Sequence, residues 1–397
     1  MTLNKITKSR FIIGNISLIS LISLWLRPFV VLLVTTFAIG FPTVNVFSEL
    51  TASVQPIKLL IINSYSPDNV CSSPQQRGIL FELAKAGYKT GKNLIVRIFY
   101  MDTKRRFTSP EEIEKRGEEA LKEFYRFKPN VLVTLDDNAF RTVALRLVGQ
   151  HVPIVFSGMN GQPEDYDRIV DWMETRKHPG KNITGVYENL HVLDALRIYK
   201  KLFPGIKKVV FITDLSPTGC AITKQIISEL NSTPSFPCPW EFRMALSWED
   251  YKKIIISLDR DPMVSAIYPV AVTLPSQSGK RFTAPEIFKW TTKHIEKPEI
   301  AVNHEFARMG LFGGAAVDFF SMGRQAGRMV IRILKGEYPG NIPIEKAEKY
   351  VLVFNLDRAR ELGIKIPQEI LLSADEVIQS ATKKQRRAGY QDVNELH

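Results

Sequence analysis

The segment NVLVTLDDNAF, from Asn130 to Phe140, carries the pattern that decides the fold. Its apolar run, Val131 to Val133, passes at once into two acids and an amide, and a helical pattern then runs to Val148. A short apolar run followed by such a helix is typical of an enclosed parallel strand and its crossover. Read as strand residues, Asp136 and Asp137 would point to opposite faces, so the pair is not expected to share a metal ion or a proton.

The same strand-then-helix unit recurs along the chain. Strands are predicted at 57–65, 93–102, 130–137 and 152–160, then at 183–190, 207–214, 240–245, 264–270 and 299–303. Helices are predicted at 74–86, 110–127, 138–148, 191–202, 219–230, 248–258 and 285–294. Units of about 25–35 residues predict a parallel, doubly wound sheet. Because the pattern restarts after a looser stretch near residue 163, the sequence predicts an α/β protein with two lobes of similar design.

Composition supports a folded protein. The chain has 397 residues, of which 45% are hydrophobic and 24% charged, which is enough for two domains. The net charge is +12, but 53 basic residues are mixed with 41 acidic ones without a long single-sign block. We therefore expect a basic solvated surface and no nucleic-acid partner.

The two ends of the chain differ from the rest. Lys5, Lys8 and Arg10 precede apolar runs at 11–26 and 29–47, a pattern typical of an export signal. Residues 1–53 are thus a cleaved signal peptide or an uncleaved membrane anchor, and the protein is expected in the periplasm or another extracytoplasmic space. Residues 379–397, which include KKQRR, are expected to be a flexible tail.

Each predicted strand changes from apolar to polar at its carboxyl end, which is where ligands bind in open α/β sheets. Two such edges facing each other would form a cleft for a small polar or aromatic ligand. The candidate ligand-binding residues at these strand ends are Ser64, Tyr65, Asp137, Asn138, Ser157, Asn160, Asp214 and Tyr268. Asp137 and Asn138 are either plain helix caps or caps that also meet ligand, and Asp136 is expected to support the loop from the other face. The rings of Tyr65 and Tyr268 either stack on ligand or pack the lobes.

Motifs for catalysis and for cofactors are missing from the sequence. The six histidines form no metal-binding spacing, and no Walker A loop, GxSxG elbow or CxxC occurs. We therefore expect no metal, no cofactor and no enzymatic activity, and no disulfide among Cys71, Cys220 and Cys238. The glycines in MGLFGGAAVDFF, from 309 to 320, are interpreted as a flexible crossing between the lobes.

Several motifs taken together resemble a known family. They are YMDTKR (100–105), TLDDNAF (134–140), PIVFSGMN (153–160), NITGVYE (182–188), SMGRQAGRMVIRILKGEYPGNIPIE (321–345) and VFNLDRARELGIKIPQEILLSADEVI (353–378). Their order and spacing resemble the ABC-transporter substrate-binding-protein-like family, and the MDTKR and DDNAF forms look most like its extracytoplasmic sensor modules. The resemblance implies a type I periplasmic-binding-protein fold, a Venus flytrap whose chain crosses three times between two lobes around a central cleft. It places the N-terminal lobe at 55–190 and 310–337 and the C-terminal lobe at 191–309 and 338–378. The resemblance also implies that Glu188 and Asp318 are ligand-binding residues.

The resemblance implies a solute-binding protein that closes around a small ligand, amino acid-like or aromatic, and presents it to an ABC permease. Two alternatives stay open at this point. One is a sensing subunit that reports ligand to a separate membrane kinase. The other is an extracytoplasmic α/β enzyme that uses Asp136, Asp137 or His304.

Overall fold

The computed structural model describes residues 55–233, 235–270 and 273–380. The expected signal or anchor segment at 1–53 lies outside these residues, and so does the tail from residue 381. Among the helices described, none has both the length and the apolar character needed to cross a bilayer.

The first lobe is built on a six-stranded sheet in the order β12-β5-β4-β3-β1-β2. Its strands are β1 (Ile57–Asn63), β2 (Leu94–Tyr100), β3 (Val131–Leu135), β4 (Ile154–Met159), β5 (Ile183–Tyr187) and β12 (Glu345–Lys346). Its first helices are α1 (Ser72–Lys85), α2 (Pro110–Phe127), α3 (Asp136–Ala139) and α4 (Pro163–Asp167). All neighbouring strands pair in parallel. Leu59 and Ile61 face one buried cluster and Leu60 and Ile62 the other, which confirms the enclosed parallel sheet expected from continuous apolar runs.

The second lobe is built on β7-β6-β8 and β11-β13-β14. Single bridges join the two parts, because Glu299 pairs with Ile267 of β8 and Ile300 pairs with Gly313 of β11. The strands are β6 (Val209–Asp214), β7 (Trp240–Ala245), β8 (Ala266–Pro269), β11 (Gly313–Val317), β13 (Tyr350–Asn355) and β14 (Glu376–Ile378), with a hairpin of β9 (Thr273–Pro275) and β10 (Arg281–Thr283). The helices are α5 (Val192–Leu202), α6 (Pro217–Asn231), α7 (Trp248–Arg260), α8 (Ala284–Thr291), α9 (His304–Arg308), α11 (Leu356–Glu361) and α12 (Gln368–Leu372). The predicted strand at 299–303 is thus present as isolated bridges rather than as a continuous strand.

The last long helix, α10 (Phe319–Leu334), returns to the first lobe and packs on α1. A Cβ atom added at Gly323 would lie 2.1 Å from the carbonyl oxygen of Gln75, so the two helices touch backbone to backbone. The chain then adds β12 beside β5 and goes back to β13 in the second lobe. Strand pairing therefore places the later crossings near residues 318 and 347–349, whereas the sequence put them at 310 and 338.

The glycines at 313 and 314 do not form the flexible crossing that the sequence suggested. Both lie buried in β11, which pairs antiparallel with β13. A Cβ at Gly313 would come within 2.1 Å of the Val353 carbonyl oxygen, and its φ is +116°. Close approach of the neighbouring backbone and a positive φ, rather than mobility, explain glycine at this position.

The expected strand also ends earlier than predicted at the two acids. β3 stops at Leu135, and Asp136, with a φ of +64°, begins α3. A π-helical turn (Phe140–Ala144) and a 3-10 turn (Leu145–Leu147) continue this segment. The prediction that strand alternation turns the Asp136 and Asp137 side chains to opposite faces is therefore wrong. A left-handed residue at the strand-to-helix turn separates the two side chains instead.

Candidate functional site

A cleft lies where the carboxyl ends of the two sheets meet. Its outer part is a cavity of about 250 Å³ with walls from both lobes. The first lobe contributes Tyr65, Lys104, Asp137, Asn138, Arg141 and Tyr166, and the second contributes Ser216, Thr218, Thr273 and Arg281. In the first sheet, strand order reverses between β1 and β3, and open α/β sheets bind ligands at such a switch point. The cavity thus occupies the position at which this fold offers a binding site.

The inner part of the cleft is a smaller cavity of about 30 Å³. It shares Tyr65, Lys104 and Thr218 with the outer part. Its other polar walls are Asp136, Asn160, Glu188 and Asn303, and its apolar walls include Val270, Phe306 and Phe319. A ligand group that reached this far would be surrounded by protein from both lobes.

Asp137 is fully engaged by the loop after β4. Its carboxylate accepts hydrogen bonds from the backbone N–H groups of Asn160, at 3.1 Å, and Gly161, at 2.9 Å, and from the hydroxyl of Tyr166 at 2.6 Å. It therefore fixes the wall of the cleft, while one side of it borders the outer cavity.

Asp136 is the acid that faces the inner cavity. It is 2% exposed, and Oδ1 accepts a hydrogen bond of 3.3 Å from Nε2 of Gln75. Its Oδ2 has no hydrogen-bond donor among the described residues. Asp137 thus supports the loop, which is the role that the sequence suggested for Asp136, and Asp136 keeps one oxygen without a donor among the described residues. Because Asp136 has a positive φ, the side chains of Asp136 and Asp137 point in different directions.

Titratable side chains with displaced pKa values lie close together at the inner end of the cleft. Burial raises the pKa of Asp136 to about 8, and the charge of Asp137 adds to this effect. Burial also raises the pKa of Glu188 to about 8, with further contributions from Asp136 and Asp137. Lys104 lowers both values, and its Nζ lies 3.9 Å from the centre of the Tyr65 ring. Displaced pKa values in a cleft are typical of a functional site.

The predicted site residues fall into three groups. Tyr65, Asp137 and Asn138 line the outer cavity, and Tyr65, Asn160 and Glu188 line the inner one. Ser64, Ser157, Asp214 and Tyr268 are buried behind the walls and line neither cavity. Asp318 borders a separate cavity of about 320 Å³, which His304 and Glu376 also line. It caps α10 by accepting a hydrogen bond from the Ser321 N–H group. As ligand contacts, all ten residues stay predictions.

The buried members of the set position their neighbours. Oγ of Ser64 donates to the carbonyl of Leu135 at 2.6 Å and accepts from the N–H group of Ala139 at 2.8 Å, so it holds the turn that carries both acids. The ring of Tyr268 packs against that of Phe211 inside the second lobe, with ring centres 5.1 Å apart and the planes tilted by 31°.

Sequence reasoning missed several cleft residues. Lys104 stands within the YMDTKR motif, two residues beyond the strand predicted at 93–102, so the sequence did carry a signal for it. Arg141 and Tyr166 lie on elements after the strand ends, and Arg281 comes from a hairpin. Nothing local in the sequence indicates that these side chains meet.

His304 lies apart from the two acids. Its Nε2 contacts the carboxylate of Glu376, and the residue borders the same separate cavity as Asp318. The one thiol that borders the inner cavity belongs to Cys71, and burial raises its pKa to about 12, which disfavours the thiolate. Among the described residues, no group of three or more histidine, cysteine or acidic side chains is placed to hold a metal ion.

Comparison with known proteins gives a consistent result. Residues 256–378 match the family model described as ABC transporter substrate binding protein. A tyrosine-binding protein of Clostridioides difficile (strain R20291) is 20% identical over 314 residues, which cover 76% of this chain and 79% of that protein.

Solved structures show the same fold. A conserved domain protein of Vibrio cholerae has a TM-score of 0.62 at 18% identity and covers 81% of this chain and 100% of its own. An ABC domain in complex with L-Trp from Streptococcus pneumonia has a TM-score of 0.61 at 18% identity, and the coverage is 82% and 100%. A ligand-free, open substrate-binding protein with adhesive properties from Clostridium difficile has a TM-score of 0.61 at 17% identity, again with 82% and 100% coverage.

These matches agree with the two-lobed α/β architecture and with the motifs read from the sequence. At the family level they describe extracytoplasmic substrate-binding proteins, which are not enzymes. Residues 256–378 thus match the ABC transporter substrate-binding protein family, and the tyrosine-binding protein is similar over most of the chain.

Proposed function

We propose that this protein captures a small polar or aromatic solute outside the cytoplasm by closing its two lobes, and then presents it to an ABC permease. The observation that carries the proposal is the cavity of about 250 Å³ that both lobes line at their strand ends. Pockets for drug-sized ligands hold roughly 300–1,000 Å³, so this one suits a ligand at the small end. The N-terminal segment would export the chain and, if uncleaved, tether it beside the permease.

The walls of the cleft suit a ligand that carries both a ring and charge. Tyr65 and Tyr166 offer aromatic surface, and Lys104, Arg141 and Arg281 offer positive charge. Asp136 and Glu188 supply acceptors deeper in. L-tyrosine and L-tryptophan, named for a relative and for a protein of the same fold, are therefore the first compounds to test.

Thermal unfolding of the full chain with these two amino acids, other amino acids, nucleobases, sugars and organic acids tests the proposal. A ligand at about 100 times its Kd stabilises the folded state by roughly 2.7 kcal/mol, which raises the melting temperature measurably. Lobe closure should also reduce the radius of gyration in X-ray scattering. If no compound in this range changes either quantity, the proposed function fails.

A matched pair of variants locates the binding site. Thr218 borders both cavities from the start of α6, so Thr218→Trp should fill the cleft and abolish the thermal shift. Asn231, at the exposed far end of the same helix, carries the control change Asn231→Trp, which should preserve the shift. Equal responses of the two variants would place the ligand elsewhere.

A further inference from the structure

Strand β7 lies at the outer edge of the second lobe, and one of its two sides is open. It pairs in parallel with β6, and no other strand of the described residues pairs with it. The N–H group of Val209 donates to the carbonyl of Pro239, so every second residue from Pro239 onward directs its backbone groups toward β6. Trp240, Phe242 and Met244 therefore direct theirs away from β6, and these groups have no hydrogen-bond partner in the described part of the chain.

The long edge strand of the first lobe, β2, is protected by contrast. The carbonyl groups of Leu94 and Tyr100 lie on its outward side. The first accepts a hydrogen bond from the Gly91 N–H group at 3.1 Å, and the second accepts one from the Arg116 guanidinium at 2.6 Å. Proteins commonly protect strand edges in such ways, because free edge groups pair with other chains. The outward side of β7 is therefore the edge that is open to a further strand.

The residues of β7 fit a second copy of the same strand in one antiparallel register. With Phe242 opposite Phe242 of the second copy, Trp240 lies opposite Met244. Glu241 then lies opposite Arg243. The outward backbone groups meet in this register, because hydrogen-bonded residues of an antiparallel pair exchange both N–H and C=O groups. Registers centred on Glu241 or on Arg243 instead place like charges opposite each other, which is destabilising.

The side chains of the strand also leave contacts for a partner. Met244 is apolar but 44% exposed, and a thioether packs well against an aromatic ring such as that of Trp240. Phe236, 45% exposed, lies 5.9 Å from the Trp240 ring and extends this apolar surface. Oε1 of Glu241 lies 2.9 Å from Nη2 of Arg243 in its own chain, yet it accepts no hydrogen bond among the described residues. The guanidinium of the second copy, with five N–H donors, can supply that bond.

We infer that the open side of β7 binds a second copy of this protein, and that the two strands pair antiparallel about Phe242. The three-stranded sheets that contain β7 in the two copies then form one continuous sheet. A single pair of strands makes a small interface, and interfaces below about 1,200 Å² are typical of weak complexes. No residue of β7 lines either cavity of the cleft, so this inference holds or fails independently of the proposed function.

Sedimentation velocity of the full chain, from about 5 to about 500 µM, covers the micromolar affinities expected of a weak dimer. The wild type should pass from monomer to dimer across this range. Arg243→Glu makes both charged positions acidic, and Glu241→Arg makes both basic. Each variant alone should therefore dimerise about 10-fold more weakly or not at all, because like charges meet across the interface. An equimolar mixture of the two should form a mixed dimer, in which acids face bases again.

A second pair of variants acts on the backbone, because Lys208 donates to Glu241 at 3.0 Å and Glu241→Arg can weaken the fold itself. Met244→Pro removes an outward N–H group but no bond to β6, and proline is tolerated at such edge positions. It should abolish the dimer. Met244→Leu keeps the N–H group and the apolar surface, and it should dimerise as the wild type does. Melting temperatures report whether each variant folds, and the Met244 pair decides if Glu241→Arg does not.

The results separate this interface from association through any other surface. A wild-type dimer that persists in Met244→Leu, is lost in Met244→Pro and reappears in the mixture of charge variants supports the inference. A wild type that stays monomeric at the highest concentration overturns it. A dimer that is unchanged by Met244→Pro or by Arg243→Glu overturns it as well, since another surface would then hold the two copies. So does a mixture that stays monomeric although both charge variants fold.

Discussion

Gln75 donates a hydrogen bond from Nε2 to Oδ1 of Asp136, 3.3 Å away, and thereby fixes the acid at the inner end of the cleft. Its Oε1 accepts a 2.7 Å bond from Oγ of Ser157, so the amide orientation is determined from both sides. A Cβ at Gly158 would come within 2.4 Å of Nε2, which leaves this amide little room to move. A residue of α1, the helix after β1, thus positions Asp136, which follows the neighbouring strand β3.

Changing Gln75 to glutamate should destabilise the fold. In Gln75→Glu the donor to Asp136 becomes an acceptor, and two carboxyl groups must share a buried site. We expect a loss of about 1–3 kcal/mol in the free energy of unfolding, measured by urea denaturation at pH 7.5. The neighbouring Gln76→Glu is the control, because Oε1 of Gln76 already accepts from the Tyr100 hydroxyl and a carboxylate can do the same. Equal losses would show that the Asp136 contact is unimportant.

Asp136 should make the folded state less stable as pH rises. Its folded pKa of about 8 lies above the ordinary aspartate pKa of 3.8, so the folded state binds more protons between these pH values. Its contribution is therefore fully present below about pH 4 and is lost as pH rises through 8. Asp136→Asn should raise the free energy of unfolding relative to wild type at pH 8.5 by on the order of a few kcal/mol, since one pKa unit corresponds to about 1.4 kcal/mol.

Urea denaturation from pH 5 to 9 measures this dependence. Glu188 titrates in the same direction, so the variant should keep part of the slope. Asp171→Asn, at a side chain that is 87% exposed, serves as the surface control. A wild-type curve that stays flat over this range would contradict the prediction.

Lys104 should keep the two acidic pKa values from rising further. Its charge lowers the pKa of both Asp136 and Glu188. In Lys104→Met both pKa values should increase, because an opposite charge nearby favours the ionised form. Carbon-detected NMR titration of the carboxyl groups reports this, and Lys104→Arg, which retains the charge, should shift them little. Identical titrations for Met and Arg would show that the charge of Lys104 has no influence.

The contact between α1 and α10 should tolerate no added methyl group. A Cβ at Gly323 would lie 2.1 Å from a backbone oxygen, which cannot move aside as a flexible side chain can. Gly323→Ala should therefore lower stability by about 1–3 kcal/mol, although alanine is normally the better helix former. Gly205→Ala, where nothing lies within 4 Å of the new Cβ, is the control for thermal unfolding. An unchanged melting temperature for Gly323→Ala would mean that the helices separate without cost.

The fold was largely predictable because its signals are local. Continuous apolar runs such as Ile57–Asn63 exist in the sequence whatever surrounds them, and caps such as Ser109 need only the three residues that follow. Polar residues at the strand ends then indicated the sheet edge at which the cleft lies, and Tyr65, Asn160 and Glu188 do border that cleft. By contrast, β11 was missed, since its glycines read as a loop until the partner strand β13 is placed beside them.

By itself the sequence determined the alternation of strands and helices, the resemblance to a family, and the sheet edges that line the cleft. Tertiary structure alone decided which acid of the pair at 136–137 faces the cavity and that Lys104 lies over Tyr65. The physical reason is that alternation and capping depend on residues a few positions apart. The direction of a side chain at a left-handed turn depends on partners far along the chain, here Gln75 for Asp136 and Tyr166 for Asp137.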